Sequence, residues 1–357
     1  MISSSLEGGS IPDHGRRMSV DVALKEKQRL PIDIRRMLAG DKKEIARTLN
    51  LLENDNLANH EDVIALISNL SASARADRHV IGVTGPPGVG KSSLISHMIS
   101  EYRARNKTVG VISVDPSSQR SGGALLGDRA RIRHNFRDEG VFIRSMAAGS
   151  HLGGLAWKTR HCLIAFETVY DVVIVETVGV GQSETEIDEV ADTIVFIVQP
   201  GSGDVIQFMK AGIMEIPHVL VVNKADQKML AMKAQNDLKI AAAFSEAYLN
   251  GWGLKVVMTS AQDGWGQKEL VEELEAHRQF MIDNNLLEKR RTWKRILWIY
   301  MLFKEQFGLF GIEAMGGERE IRKRIAQCDI SKPFDTVRLL SNLLRERLSK
   351  NIGSNGN

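Results

Sequence analysis

An α/β fold is predicted for this 357-residue sequence: a mostly parallel sheet with helices on both faces, preceded by a helical region and followed by a helical extension. Three observations predict it. Between residue 79 and about residue 262, short Val/Ile-rich runs alternate with longer amphipathic stretches, the pattern of buried parallel strands joined by helical crossovers. The first run leads directly into a glycine-rich turn, Gly85-Pro86-Pro87-Gly88-Val89-Gly90-Lys91-Ser92, set between a strand and a helix. On both sides of this region, apolar residues recur at helical spacing.

Residues 1–28 are polar, Gly/Ser-containing and of mixed charge, and read as a flexible tail. Residues 29–77 form a helical region with apolar positions at Ile34, Met37 and Leu38, at Ile45, Leu49 and Leu52, and at Val63, Ile64, Ile67 and Leu70. Asp41, following Gly40, is placed to cap its second helix. The central domain spans 78–275, with strands expected at 79–84, 108–114, 141–145, 171–176, 193–198, 218–222 and 255–259. Helices are expected at 90–105, 124–137, 153–169, 204–215 and 229–248. Residues 276–350 read as a helical region, and 351–357 as a disordered tail. Within the run 289–303, Trp293, Ile296, Leu297, Tyr300, Met301 and Phe303 make an apolar face too large to stay wet on one helix. Packing against another helix or a second subunit is expected, and homodimerisation through these helices follows. A further amphipathic helix is expected at 331–348.

The formal net charge of +3 comes from interspersed acids and bases, so nucleic acid is not an expected partner. No apolar stretch is long enough to span a bilayer, and the first residues lack a basic segment followed by an apolar one, so a cytoplasmic protein is expected. The two cysteines, Cys162 and Cys328, are far apart, which suits a reducing compartment and offers no zinc or redox site. The histidines lack metal-ligand spacing.

Chemistry concentrates at the predicted carboxyl ends of strands, where ligands gather in such sheets. The stretch Gly85 to Ser93 is the candidate phosphate cradle: backbone N–H groups of Gly88, Val89, Gly90 and Lys91 face a polyphosphate. The Lys91 ammonium reaches its terminal phosphates and the Ser92 hydroxyl ligates Mg²⁺. Asn223-Lys224-Ala225-Asp226 ends another buried run. A buried Asp226 carboxylate accepts from guanine N1–H and the 2-amino group but would face an unprotonated N1 on adenine, so GTP and GDP are favoured over ATP. Asn223 is expected to tie this loop to the phosphate loop, Lys224 to lie along the base, and the Thr259-Ser260-Ala261 turn to offer a backbone N–H to guanine O6.

Hydrolysis needs the terminal phosphate neutralised and a water held in line. Asp115 is a candidate to orient that water or a Mg²⁺-bound one, and Asp128 is either a Mg²⁺ ligand or a helix N-terminal carboxylate. Glu176 ends a very apolar strand, where an unpartnered carboxylate is costly, and is the candidate to hold a Mg²⁺-bound water. Gly179 can turn its N–H toward the γ-phosphate. Lys210, in the glycine-bearing segment 199–212, is a candidate active-site lysine, with a solvated helical lysine the alternative.

Taken together, V-D-P-S-S at 114–118, S-G-G-A-L-L-G-D-R-A-R at 121–131, H-L-G-G at 151–154, V-E-T-V-G-V-G-Q-S-E at 175–184 and N-K-A-D at 223–226 resemble the MeaB/ArgK/MMAA family of GTPases over about 32–348. The resemblance implies a phosphate-loop fold of the signal-recognition-and-MinD-like class. It also implies homodimers and a G-protein chaperone for an adenosylcobalamin-dependent acyl-CoA mutase such as methylmalonyl-CoA mutase, gating cofactor loading and protecting or reactivating the mutase. By this resemblance Asp115, Asp128 and Glu176 match the Mg²⁺ and catalytic carboxylates, Asn223 and Asp226 the base-reading pair, and Lys210 the lysine of a third switch loop. The family commonly has G-D-E-L-Q-G-I-K-K-G in that loop, where this chain has Gly203-Asp-Val-Ile-Gln-Phe-Met-Lys-Ala-Gly212. That departure leaves open a related mutase acting on another acyl-CoA. The alternatives are a metallochaperone-type GTPase, for which no C-x-x-C or His-rich run is present, a phosphotransferase or kinase linked to amino-acid transport, and a nucleotide-binding dimer without turnover.

Overall fold

The computed structural model describes residues 32–54, 61–115, 137–147, 157–177, 186–201, 216–243 and 250–354. Among the described residues seven strands form one sheet: β1 (His79–Thr84), β2 (Val109–Asp115), β3 (Val141–Ala147), β4 (Val172–Thr177), β5 (Thr193–Val198), β6 (Val219–Val222) and β7 (Lys255–Met258). All pair in parallel, in the order β3-β2-β4-β1-β5-β6-β7. Each strand coincides with an expected run to within two residues at either end. The order was not expected in this detail: β4 lies between β1 and β2, so the carboxyl end of β4, rather than that of β2, stands next to the phosphate loop.

The strands are apolar on both sides because both sides are covered. Ile81, Val83, Val195, Ile197, Val219 and Val221 point into one core. They meet α4 (Lys91–Ala104) through Leu94, Ile95, Met98 and Ile99, and α7 (Gln267–Asp283) through Leu270, Val271 and Leu274. The alternate residues Phe196, Val198, Leu220 and Val222 pack on the other face with Ala231, Ala234 and Leu238 of α6 (Lys228–Ala242). The one-residue alternation of strand side chains thus divides each continuous apolar run between two cores. Helix α5 (Trp157–Val169) precedes β4. The helices expected at 124–137 and 204–215 fall outside the described residues, apart from Arg137, which lies in a turn.

Before the sheet stand α1 (Ile34–Leu38), α2 (Lys42–Leu52) and α3 (Glu61–Ala72). Asp41 caps α2 as expected, accepting from the N–H groups of Lys43 and Glu44, and Asp33 caps α1 in the same way. Met37, Ile45, Leu49, Leu52, Val63, Ile67 and Leu70 are buried. Ile34 and Leu38, expected with them, are exposed, and Met37 alone of the five-residue α1 is buried.

After α7 come α8 (Leu287–Ala314), α9 (Glu318–Ile325) and α10 (Pro333–Ser354). Leu297, Tyr300, Phe303, Ile312, Ile321, Ile325, Leu340 and Leu344 form their shared core. Trp293 and Met301, expected on that face, are exposed, whereas Trp298 is buried edge-on against His161 of α5 and Phe334 of α10. Gly308 breaks the helical path of α8 with φ 62° and ψ −162°.

The basic run at the start of α8 turns inward. Arg290 pairs with Asp188, Arg291 with Asp192, and the Lys294 ammonium donates to the Ala191 carbonyl, so segment 188–192 compensates these charges. Among the described residues, no helix is long and apolar enough to cross a membrane.

Candidate functional site

The glycine-rich turn leaves β1 at Thr84 and enters α4 at Lys91. Two of its glycines are sterically required. At Gly85, φ is +143° and a Cβ would stand 2.3 Å from the Ile197 carbonyl oxygen; at Gly90, φ is +92° and a Cβ would stand 2.5 Å from Asn223 Nδ2. The turn is therefore pressed against β5 and the loop after β6, and only glycine permits that approach. Lys91 is buried, its ammonium donating to the carbonyls of Gly85 (2.7 Å) and Pro86 (3.0 Å). The charge is held inside the curve of the loop, where the terminal phosphates of a nucleotide are expected.

One turn into the site, the Ser92 hydroxyl donates to Glu176 Oε1 at 3.1 Å, and the Ser113 hydroxyl of β2 donates to Oε2 at 3.2 Å. Glu176 is 5% exposed, and the strand register places it beside Val83 on one side and Ser113 on the other. A buried carboxylate is stabilised here by hydroxyl donors. Next to it, Thr177 Oγ1 donates to Thr84 Oγ1 at 3.0 Å, tying the ends of β4 and β1 together. The set of a serine hydroxyl and a carboxylate at the edge of a phosphate cradle consists of hard oxygen donors, which fits Mg²⁺, a cation that binds through one or two protein groups plus phosphate oxygens.

The second candidate loop meets the first through Asn223. Its Nδ2 donates to the Val89 carbonyl at 2.8 Å, and its Oδ1 accepts from Thr259 Oγ1 at 3.1 Å, so a single buried amide links the phosphate turn to the end of β7. Lys224 takes a left-handed backbone conformation, φ 58°, and its ammonium donates to Gln199 Oε1 at 2.8 Å. Asp226 is exposed, with Oδ1 3.5 Å from Ser260 Oγ. The expected burial of this carboxylate is not met by protein atoms, so its desolvation is left to the base that would cover it. In the Thr259-Ser260-Ala261 turn, the Ser260 N–H is committed to the Trp265 carbonyl at 3.0 Å, which makes Ala261 the turn's candidate donor.

Lys91, Ser92, Glu176 and Asn223 are thus brought together at the carboxyl ends of the inner strands, with Lys224, Asp226, Ser260 and Ala261 beside them. Asp115 closes β2 opposite Ala147 of β3, two strands from β1. Asp128, Gly179 and Lys210 lie outside the described residues. Sequence reasoning missed Ser113, whose local signal was a polar residue inside the apolar run Val111-Ile-Ser-Val114, and named Thr259 and Gln199 only as parts of the 259–261 turn and the 199–212 segment, without their hydrogen bonds to Asn223 and Lys224.

Known proteins resemble this chain in sequence and in fold. The profile of the methylmalonyl-CoA mutase-associated GTPase MeaB family matches residues 45–310. A protein named as a GTPase in Pyrococcus horikoshii is 42% identical over 73% of this chain and 83% of its own length. One so named in Caulobacter vibrioides is 35% identical over 76% and 83%. The mitochondrial methylmalonic aciduria type A homolog of Mus musculus is 30% identical over 75% of this chain and 68% of its own. Among solved structures, one described as an LAO/AO transport system kinase superposes with a TM-score of 0.63 at 24% identity, over 87% of this chain and 96% of that one, a likeness of fold.

Proposed function

The chain belongs to the family of methylmalonyl-CoA mutase-associated GTPases, MeaB, and from that premise we propose that it is a Mg²⁺-dependent G-protein chaperone of an adenosylcobalamin-dependent acyl-CoA mutase. In this reading it gates cofactor loading and protects or reactivates the mutase. That it is a GTPase follows from the family and its relatives. The mutase partner is supported by the family description and by the name of the mouse relative.

The observation that carries the reading is the meeting of the Ser92 hydroxyl with the buried Glu176 carboxylate beside the Lys91 ammonium, at the carboxyl ends of adjacent strands. Backbone N–H groups of the 85–91 turn cradle the phosphates, and Lys91 neutralises charge on the outermost ones. Ser92 and Glu176 would hold Mg²⁺, directly or through its water shell, and the bound ion would supply neutralisation of charge developing on the phosphoryl oxygens. Asp115, Asp128, Gly179 and Lys210 belong to the same proposal, as groups that order the attacking water and respond to loss of the γ-phosphate. Trp293, Met301, Leu309, Phe310 and Leu339 are exposed apolar residues of the C-terminal helices, which favours a homodimer formed there.

The proposal is tested by mixing the purified protein with methylmalonyl-CoA mutase and with mutases for other acyl-CoA substrates, in GTP, GDP and nucleotide-free buffers. Nucleotide-dependent co-elution with one mutase, together with GTP hydrolysis that stops on Mg²⁺ chelation, is expected. Hydrolysis without association to any of them would overturn the chaperone role.

Asp226→Asn is expected to weaken GTP and GDP together by about 10- to 100-fold, since an amide cannot accept from both N1–H and the 2-amino group. Because xanthine carries O2 in place of that amino group, the variant should shift its preference toward XTP. Competition binding reads both effects, and an unchanged GTP-to-XTP ratio would refute base reading by Asp226.

A further inference from the structure

The turn expected to meet guanine O6 is held by two side chains from outside it. Gln267, buried at the start of α7, donates through Nε2 to the Ser260 carbonyl at 2.9 Å, and the N–H groups of Gly264 and Trp265 donate to the same oxygen. His97, half-buried on α4, has Nε2 3.0 Å from the Ala261 carbonyl oxygen. A carbonyl only accepts, so the ring hydrogen sits on Nε2.

These two oxygens belong to successive peptide groups. In a planar trans peptide the C=O of one residue and the N–H of the next point in opposite directions. Holding the Ser260 carbonyl toward α7 therefore aims the Ala261 N–H away from it. Holding the Ala261 carbonyl toward α4 then limits rotation between the two planes. The helix that carries His97 is the one that opens with Lys91, so the support for the base turn and the support for the phosphates share one rigid element.

We propose that His97 and Gln267 are positioning residues for guanine recognition: by clamping two successive peptide planes of the 260–262 turn, they preset the Ala261 N–H toward O6. This rests on the guanine-binding reading above and goes beyond the motif residues, since both side chains act on the turn's carbonyls. Such presetting removes an ordering cost that the nucleotide would otherwise meet on binding.

The test compares GTP, ITP and 2-aminopurine riboside triphosphate, which lacks both O6 and the N1–H, by calorimetry on the full chain. Wild type should prefer GTP to the 2-aminopurine nucleotide. His97→Ala should weaken GTP and ITP, both of which keep O6, by about three- to tenfold, the range of one neutral hydrogen bond, and leave the 2-aminopurine nucleotide unchanged. His97→Gln, whose Nε2 can reach the same oxygen, should restore most of the loss. Gln267→Met should show the same pattern as His97→Ala in smaller degree, because the Ser260 carbonyl keeps its two backbone donors. A wild-type protein with no preference for GTP would overturn the guanine reading itself. A wild-type preference that survives intact in His97→Ala, or an equal loss for all three nucleotides, would leave that reading standing and overturn the positioning role.

Discussion

Lys91→Ala is expected to lower GTP hydrolysis by about 10²- to 10³-fold or more, the scale of losing one preorganised charge or donor aimed at the transition state. The ammonium lies within the glycine-rich turn, donating to the Gly85 and Pro86 carbonyls, and is 8% exposed. A charge so enclosed by backbone dipoles is oriented before any nucleotide arrives, so its removal costs the reaction and not merely the encounter. Lys91 is the first residue of α4, and alanine is the best helix former, so the fold should persist. Single-turnover hydrolysis with radiolabelled GTP, alongside a thermal melt, separates the two. Wild-type turnover in the folded variant would remove the phosphate-loop assignment.

The second large effect concerns stability. Asp192→Ala is expected to cost about 3–5 kcal/mol, because it strands a buried guanidinium. Arg291 donates to both carboxylate oxygens of Asp192, at 3.2 and 2.8 Å, and to the carbonyls of Ala76 and Arg78. Asp192 Oδ2 also accepts from the Val80 N–H at 3.1 Å, which ties the pair to β1. Both side chains are 4% exposed. Burial alone would push the Asp192 carboxyl upward, but the Arg291 charge and hydrogen bonds outweigh it and hold the group below the usual carboxylate range.

The sign of the pH dependence follows. A depressed folded-state value makes the contribution fully present above the unfolded-state value of about 3.9, and it is lost as pH falls toward the depressed one. Denaturant melts should show the gap between wild type and Asp192→Ala narrowing under acid. Replacing both partners, Asp192→Leu with Arg291→Met, should cost much less than the single change. A loss below about 1 kcal/mol for Asp192→Ala would refute the structural weight given to this pair.

How much of this was legible depends on distance along the chain. The strands and the phosphate turn were readable because their causes are local: a continuous apolar run, then glycines where a Cβ has no room. The Asn223 link was readable in kind, since N-K-x-D after a strand implies a neighbour. Asp192 gave no signal, and Arg291 looked like one more charge on a basic helix. They are 99 residues apart, and no spacing rule connects them. Trp293 and Trp298 sit five residues apart on one helix; periodicity singled out Trp293, whereas within the chain it is Trp298 that is buried.

By itself, the sequence determined that a glycine-rich turn sits between a buried strand and a helix, and that an acid-ended strand and an Asn-Lys-Ala-Asp loop follow it. Only the tertiary structure decided that β4 stands beside β1, so that Glu176 meets Ser92, and that α4 and α7 hold the base turn from both sides. Side-chain alternation and backbone torsions are properties of neighbouring residues and can be read along a chain. Strand order and long-range hydrogen bonds are settled only when two faces of a sheet are buried at once, because the helices that cover them choose which distant polar groups must find one another.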